Sequence, residues 1–369
     1  YVADEHGNQV LKYTPAGVQS VLASPVGGYQ LPNGVAVDSD NNIYVSTNRF
    51  DQHTVFKVTP ANVVTEVAPG LISGPVGVAV DGNNNLYVAD YGNHCIRKVT
   101  PAGNVTTYAG LGGVVGNTDG NSAIATFNGP TGLCFDTIGN MYVADYHNNK
   151  IRKIDPNGNV TTFAGSGTAG ANDSSALNAS FYNPAVVTFD GVENFYVTDS
   201  GNRKIRKIDN QGNVSTFAGI GTGGAVDGPA SIASFRALTG IVAKNETEFY
   251  VTDYNNHKIR KIKIYRYTIS PQLPAGLVFN EQTGEISGIP TEVSPPTDYL
   301  VTVENESGTS SFILSIEVNT LSVDSFMNRK AKVYPNPFET ELFFEFNNEL
   351  PVEVTLFNVL GQKVLTFKP

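Results

Sequence analysis

The chain of 369 residues contains no tryptophan, only two cysteines, and charged residues at only 16%. Two cysteines allow at most one disulfide, so the chain is not a small domain built on a disulfide framework. No apolar run approaches the roughly 20 residues that a membrane-spanning helix needs. Sustained helical periodicity is also missing, which disfavours a helical solenoid. Glycine, in contrast, is abundant at 37 residues, and this favours a turn-rich all-β protein.

A repeated unit fills the first 266 residues. Its clearest copy, residues 77–110, reads GVAVDGNNNLYVADYGNHCIRKVTPAGNVTTYAG. Each complete copy predicts four short strands, separated by Asp, Asn, Gly and Pro residues that favour turns. Four-stranded units repeated about an axis are typical of a β-propeller. The tyrosine of the YVAD segment recurs at Tyr1, Tyr44, Tyr87, Tyr142, Tyr196 and Tyr250.

The order GVAVD, LYVAD, IRKV and VTTYAG resembles the NHL repeat, over residues 1–266. This resemblance implies a propeller of six blades. The first copy lacks its opening strand and the last copy lacks its closing strand, but both contain the second and third strands. The two therefore cannot merge, and we expect an incompletely closed ring with an exposed edge, whose closing strand lay upstream of Tyr1. Four copies are complete, near 31–68, 74–110, 129–165 and 183–219.

The pattern changes after residue 266. Residues 267–319 resemble part of an immunoglobulin-like domain of bacterial surface proteins, through YTISPQLPAGL and NEQTGEISGIPT. Residues 320–330 are predicted to be a linker. Residues 331–369 resemble a truncated C-terminal sorting domain of the type IX secretion system, through YPNPF and LGQKV. The resemblance implies the secretion machinery as a partner and an extracellular or cell-surface location.

Long inserts between blades predict a recognition face. They occupy 111–128, 166–182 and 220–236, which we call the first, second and third inserts. In a four-stranded blade these connections emerge on the same side as the turns between second and third strands, and loops on a rigid scaffold often carry recognition. Each insert contains an aspartate that we interpret as the cap of a short helical turn, with a phenylalanine tucked beneath it. The aspartates are Asp119, Asp173 and Asp227, and the phenylalanines are Phe127, Phe181 and Phe235.

The same face should receive a repeated Asp-x-x-Asn turn and an arginine just inside each third strand. Turn chemistry explains the first pattern, and inter-blade pairing with the turn carboxylates explains the second. The alternative is an anion-binding ring for an acidic glycan, a peptide or nucleic acid. With the three insert aspartates, these residues form the candidate ligand-binding face: Asn93, Asn148, Asn202, Asn256, Arg97, Arg152, Arg206 and Arg260.

Three functions stay open from the sequence. The first is a secreted or cell-surface binding or scaffold protein that takes a peptide, protein or glycan on the propeller face. The second is a propeller lactonase or lyase with a channel metal, and the third is a structural surface component without a small ligand. The five histidines all fall in second-to-third turns, but at unequal offsets, so no metal, cofactor or catalytic residue is predicted. Most of the net charge of −10 falls after residue 266, and a nearly neutral propeller argues against nucleic acid as a partner.

Overall fold

The structure is a computed structural model that describes residues 1–14, 16–25, 28–49, 52–281, 284–305, 308–318, 331–335, 342–346, 354–357 and 363–367. The chain divides into two compact units, Tyr1–Ile262 and Lys263–Pro369. Its regular structure is nearly all β, as predicted. No helix among the described residues has the length and apolar content to span a bilayer. The helices in the described part of the chain are single 3-10 turns at Tyr91–Asn93, Tyr146–Asn148, Ser200–Asn202 and Tyr254–Asn256.

The first unit contains six antiparallel sheets that follow one another along the chain. Sheet 1 contains β1 (Val2–Asp4), β2 (Gln9–Tyr13) and β3 (Gln19–Val21). Sheet 2 contains β4 (Pro32–Val37), β5 (Ile43–Arg49), β6 (Gln52–Val58) and β7 (Val64–Val67). Sheet 3 contains β8 (Pro75–Val80), β9 (Leu86–Asp90), β10 (Cys95–Val99) and β11 (Val105–Ala109).

Sheets 4 and 5 repeat the arrangement of sheets 2 and 3 with one added strand each, and sheet 6 has three strands. Sheet 4 contains β12 (Gly120–Asn121), β13 (Pro130–Phe135), β14 (Met141–Asp145), β15 (Lys150–Ile154) and β16 (Asn159–Ala164). Sheet 5 contains β17 (Ser174–Ser175), β18 (Pro184–Phe189), β19 (Phe195–Asp199), β20 (Lys204–Ile208) and β21 (Asn213–Ala218). Sheet 6 contains β22 (Leu238–Ala243), β23 (Glu248–Asp253) and β24 (Lys258–Lys263).

The sequence therefore predicted the strands of all six sheets except β12 and β17. These short strands come from the inserts and pair with the fourth strands β16 and β21. Sheets 1 and 6 each keep three strands and do not join into one sheet. Instead, the second-to-third turns of these two sheets touch, since the His6 ring lies 5.3 Å from that of Tyr254. The corresponding residues of sheets 3 and 4, Tyr91 and His147, make a similar contact at 5.8 Å.

The glycine of the GVAV segment lets the innermost strands of neighbouring sheets approach at backbone distance. A Cβ on Gly77 would lie 2.1 Å from the carbonyl oxygen of Thr131, in sheet 4. A Cβ on Gly34 would likewise lie 2.4 Å from the carbonyl oxygen of Val76, in sheet 3. No side chain fits there, which explains the repeated glycine. Outside these strands, apolar side chains of adjacent sheets form the cores, such as Tyr87, Phe127 and Met141 between sheets 3 and 4.

The second unit is also built of strands. β25 (Arg266–Ser270), β28 (Ser294–Asn305) and β29 (Gly308–Val318) form one sheet, in that order. The paired strands are β26 (Leu277–Phe279) with β27 (Ile286–Gly288), β30 (Ala331–Pro335) with β31 (Leu342–Phe346), and β32 (Val354–Phe357) with β33 (Lys363–Phe367). β28 and β29 contain residues 298–303 and 311–318, where the sequence also predicts strands of the immunoglobulin-like segment. The predicted linker, 320–330, lies outside the described residues.

Candidate binding face

The three inserts lie on the rim that carries the second-to-third turns, as the strand order predicts. The backbone amide of Gly113 donates to the Asn93 carbonyl at 2.8 Å, which ties the first insert to the turn of sheet 3. Asparagines of the next turns hold the inserts from the other side. The Nδ2 groups of Asn148, Asn202 and Asn256 donate to the carbonyls of Gly116, Gly170 and Gly224 at 2.7, 2.6 and 2.6 Å. We call this surface the insert rim.

A buried aspartate at the end of the second strand in each of sheets 3 to 6 organises the insert rim. Its Oδ1 accepts a hydrogen bond from the backbone N–H of the last residue of the connection that precedes the sheet. For example, the Asn128 amide donates to Asp145 Oδ1 at 2.8 Å. Its Oδ2 accepts a hydrogen bond from the side-chain amide of the turn asparagine, as Asp145 Oδ2 does from Asn148 Nδ2 at 2.8 Å. A carboxylate that receives several hydrogen bonds can be buried without the cost of an unpaired charge. The four equivalent aspartates, all fully buried, are Asp90, Asp145, Asp199 and Asp253.

The arginine of the third strand completes this network. Arg152 contacts Asp145 at 2.8 Å and Asp119 of the insert at 2.6 Å. Arg206 contacts Asp199 at 2.9 Å and Asp173 at 2.5 Å in the same way. Each guanidinium group also donates to two backbone carbonyls and lies over the insert phenylalanine, about 5 Å from its ring centre. Such a contact adds cation–π attraction to the ion pairs.

The geometry corrects the prediction that these arginines face a ligand. The side chains of Arg152 and Arg206 are 0% exposed, and that of Arg260 is 7% exposed. The insert covers them, so a ligand cannot touch them without displacing it. The other interpretation, inter-blade pairing with the turn carboxylates, named the correct partners, but the pairing is not between blades: each arginine pairs within its own sheet and the insert before it. Arg97 is 20% exposed, because no long insert precedes sheet 3, and it binds Asp90 and Thr107 instead.

The helix-cap interpretation of the insert aspartates is wrong. Asp119 Oδ2 accepts the backbone N–H of Thr162 at 3.0 Å, and Asp173 Oδ2 accepts that of Thr216 at 2.9 Å. The carboxylates thus point to an arginine and to a fourth-strand amide, which attract them more strongly than a local turn does. Burial opposes the ionisation of Asp173, but the hydrogen bonds from Thr216 and Arg206 outweigh it and lower its pKa. The phenylalanines are buried as predicted.

The residue that ends the connection before each of sheets 3 to 6 has a fixed backbone and a variable side chain. In sheets 4 to 6 it directly follows the insert phenylalanine. Its N–H donates to the buried aspartate in every case, at 2.7 to 2.9 Å. Tyr182 is the largest of these side chains, and it packs on Gly201, where any Cβ would lie 2.5 Å from the ring. A side chain that varies while its backbone is held in place is typical of residues that set binding specificity. The sequence analysis did not predict a role for this position. The four residues are Ser73, Asn128, Tyr182 and Arg236.

The inserts expose apolar side chains and almost no charge. Asp119, Asp173, Asp227 and Arg236 are their only charged residues. The apolar side chains are between 42% and 60% exposed, which is unusual for such a concentration on one rim. They are Leu111, Val114, Val115, Ile124, Leu177, Tyr182, Ile220, Val226 and Ile232.

The opposite rim carries the turns between first and second strands, and its aspartates have local partners. Asp81 Oδ2 accepts hydrogen bonds from Asn85 Nδ2 at 2.8 Å and from the Tyr87 hydroxyl at 3.1 Å. Two histidines of the insert rim have hydrogen-bond partners: His94 Nδ1 accepts the amide of Gly129, and His147 Nε2 bonds the Tyr91 hydroxyl. Among the described residues, no three His, Cys, Asp or Glu side chains come together as a metal site would require. Cys95 and Cys134 are free thiols.

Family models match three segments of the chain. The NHL repeat model matches residues 73–99, the Putative Ig domain model matches residues 230–319, and the Secretion system C-terminal sorting domain model matches residues 332–368. These matches confirm the three resemblances, in their order along the chain. The Ig match begins within the third insert, ahead of residue 267, where the sequence predicted the boundary.

The relatives share the repeat over part of their length. NHL repeat-containing protein 2 of Bos taurus is 28% identical over 183 residues, which is 46% of this chain and 25% of that protein. Protein SUPPRESSOR OF QUENCHING 1, chloroplastic, of Arabidopsis thaliana is 35% identical over 95 residues, 26% of this chain and 9% of that protein. The chain thus spans a quarter or less of these curated relatives.

Two solved structures from Bacteroides thetaiotaomicron share the fold. One is a structural genomics protein of unknown function, with a TM-score of 0.56 and 24% identity, covering 71% of this chain and 68% of that chain. The other is an auxiliary nutrient binding protein, with a TM-score of 0.53 and 19% identity, covering 69% of this chain and 66% of that chain. Identities this low establish the architecture alone.

Proposed function

We propose that this protein is an exported binding protein whose insert rim recognises an uncharged, partly apolar segment of another polypeptide. The observation that carries the proposal is the exposed apolar surface of the three inserts, held on a buried Asp–Arg network. Exposed apolar groups gain free energy when a partner covers them, at about 25 cal/mol per Å². A rigid support lowers the entropy that binding costs.

The charge distribution favours a neutral ligand over an acidic one. The arginines that could have attracted a phosphate or carboxylate are enclosed and already paired. Asp119 and Asp173 remain 44% and 47% exposed, and they are proposed to accept hydrogen bonds at the margin of the apolar surface. Such an interface would depend little on salt, because screening acts on charges. Tyr182 is proposed as its aromatic anchor.

The sorting-domain match supports export, and the shared fold with a nutrient binding protein agrees with a binding role. The surface location and the secretion machinery as partner therefore belong to the proposal. A metal-dependent lactonase or lyase, the alternative from the sequence, has no supporting ligand group among the described residues. A structural component without a ligand would not need an apolar rim on a rigid frame.

Selection of a displayed random peptide library against the immobilised protein tests this function. We expect the selected peptides to be uncharged and to lose binding in the triple variant Val115→Ser, Tyr182→Ala, Ile232→Ser. Their affinity should change less than about twofold between low and high salt. Thermal melting checks that the variant is folded.

The matched control replaces apolar residues of the opposite rim, Ile138→Ser and Val192→Ser, which are 77% and 60% exposed. Binding should survive this change. Loss of binding in the control with retention in the triple variant would contradict the proposal. So would a selection that yields only acidic peptides with a steep salt dependence.

A further inference from the structure

The second-to-third turns of sheets 3 and 4 bring aromatic rings together on the insert rim. The centre of the Tyr91 ring lies 5.8 Å from that of His147, and the His147 ring lies 4.9 Å from that of Tyr146. Tyr91 and Tyr146 are half-buried, whereas His147 is exposed. A Cβ on Gly129 would lie 2.7 Å from the Tyr91 ring and 2.9 Å from the His147 ring. The glycine therefore makes room for the two rings.

Tyr182 extends these rings into sheet 5. Gly201 occupies in the turn of sheet 5 the place that His147 has in the turn of sheet 4. Its amide donates to the Tyr182 carbonyl at 2.8 Å, as the His147 amide does to the Asn128 carbonyl at 3.1 Å. Because the Tyr182 ring packs on Gly201, it supplies the ring that this turn lacks. We call Tyr91, His147, Tyr146 and Tyr182 the aromatic row.

The aromatic row offers hydrogen-bond donors and contains no acidic residue, lysine or arginine. In the described part of the chain, the hydroxyl groups of Tyr146 and Tyr182 have no hydrogen-bond partner. Tyr91 Oη and His147 Nε2 lie 2.7 Å apart, and whichever of them donates, one O–H or N–H of the pair remains to donate elsewhere. Burial, and after it the neighbouring Tyr146, raises the pKa of Tyr91, so its hydroxyl keeps its proton at neutral pH. A ligand of the row therefore needs apolar faces and acceptor oxygens.

We propose that the aromatic row binds a proline-rich segment in the polyproline II conformation. This inference rests on the function proposed for the insert rim and names the class of its ligand. Proline rings are uncharged and apolar, and proline brings no backbone N–H that would need an acceptor. The carbonyls of polyproline II make no internal hydrogen bonds, so they can accept from Tyr146 and Tyr182. Aromatic-lined surfaces are a recurring means of recognising such segments.

The spacing of the aromatic row agrees with this conformation. The two centroid distances, 5.8 and 4.9 Å, place the Tyr91 and Tyr146 rings at most about 11 Å apart. Polyproline II repeats every three residues, over about 9 Å. Prolines three apart in sequence can therefore contact successive tyrosines. Since the conformation is formed before binding, such a segment loses less entropy than a flexible one.

An equivalent tyrosine outside the row provides a matched control. Tyr254 occupies in the turn of sheet 6 the place of Tyr91 and Tyr146. Burial, followed by a hydrogen bond to Glu5, raises the pKa of Tyr254 to about 12, so its hydroxyl already donates to a carboxylate. The positions that would continue the row between sheets 5 and 6 are Ser200 and Asn255, which are not aromatic. Tyr254 is thus separated from the proposed site.

Two blocked peptides of nine residues test the inference. One is nonaproline, which spans three turns of polyproline II, and the other is the flexible, uncharged repeat (Gly-Leu-Ser)3. In calorimetry with the full chain, we expect saturable binding of nonaproline, at least about 10-fold tighter than that of the flexible peptide. Tyr146→Ala and, separately, His147→Ala should each weaken nonaproline binding by at least about 10-fold. Tyr146→Phe keeps the ring but removes the donor, and should weaken it about 2- to 10-fold.

The control variant Tyr254→Ala should leave nonaproline binding unchanged, and melting curves check that each variant is folded. Three results would overturn the inference: no binding of nonaproline by the folded chain, equal or tighter binding of the flexible peptide, or binding that survives both alanine variants of the row. Binding of cellohexaose in place of nonaproline would assign the row to a neutral glycan and overturn it as well. Library peptides that bind the inserts without containing proline would leave the function of the rim standing while this inference fails.

Discussion

Sheets 5 and 6 share a strand sequence, KIRKI, and the same buried network, yet they differ at the outer edge. In both, the arginine joins a turn aspartate to an insert aspartate and lies over a phenylalanine. Only sheet 5 has a fourth strand. The third insert nevertheless adopts the conformation of the others. The comparison teaches that the arginine network, and not the fourth strand, shapes the inserts, whereas the fourth strand buries the outer edge.

The largest expected effect follows from removing the arginine. Arg206→Ala leaves Asp199 buried without its charge partner, and we expect a loss of about 3–5 kcal/mol in the free energy of unfolding. The same change at Arg260 should cost less, because its side chain and that of Asp227 are more open to water. Denaturant titration of both variants measures the difference. An equal or larger loss at Arg260 would contradict this comparison.

Replacing the isoleucine of the third strand should give the next largest difference in stability loss between sheets 5 and 6. Ile205→Ala opens a cavity beneath the fourth strand and should cost about 2–5 kcal/mol. Ile259→Ala removes a partly exposed side chain, so we expect a loss below about 1 kcal/mol. Both values come from the same denaturant titration. Equal losses would mean that Ile259 is covered in solution.

The insert aspartates should show a smaller difference. Asp173→Ala leaves the Thr216 amide and one side of Arg206 without their acceptor, and should cost about 1–3 kcal/mol. Asp227→Ala removes only an exposed ion pair with Arg260, for which about 0–1 kcal/mol is expected. Melting temperatures at neutral pH rank the two variants. The reverse order would show that the fourth-strand contact adds nothing.

The pH dependence of Asp173 gives the smallest effect. Its pKa is lowered in the folded state from the ordinary value of 3.8. A carboxyl group with a depressed pKa stabilises the fold above its unfolded pKa, and this contribution is lost as the pH falls. The intact protein should therefore lose more stability below about pH 4 than Asp173→Ala does. Melting curves from pH 6 to pH 3 measure this difference, and parallel curves would contradict it.

Local patterns were sufficient to predict the strands. Alternating Val, Ile and Tyr residues bounded by Asp, Asn and Gly appear in every copy, so the strand content of the six sheets could be predicted from sequence. β12 and β17 could not, because their pairing uses backbone groups of segments with no strand pattern. Gly77 was recognisable as part of the motif, but its role in close strand contact needs the neighbouring sheet.

The candidate site was harder to predict, for a physical reason. Arginine is almost never fully buried unless paired, so an exposed ring was a reasonable alternative for Arg152 and Arg206. The pairing that buries Arg152 joins it to Asp119, a residue distant in sequence, across an insert whose path no local pattern reveals. Asp119 itself, followed by small residues, matches a helix cap. The variable position at Tyr182 becomes visible only once the fixed backbone amide is known.

Hydrogen exchange at β20 and β24 tests the central claim most directly, since the two strands have the same five-residue sequence. The account predicts that the amides of β20 facing β21 are strongly protected, and that the equivalent amides of β24 exchange quickly, as at an open edge. Equal protection of the two strands in the protein by itself would contradict the account.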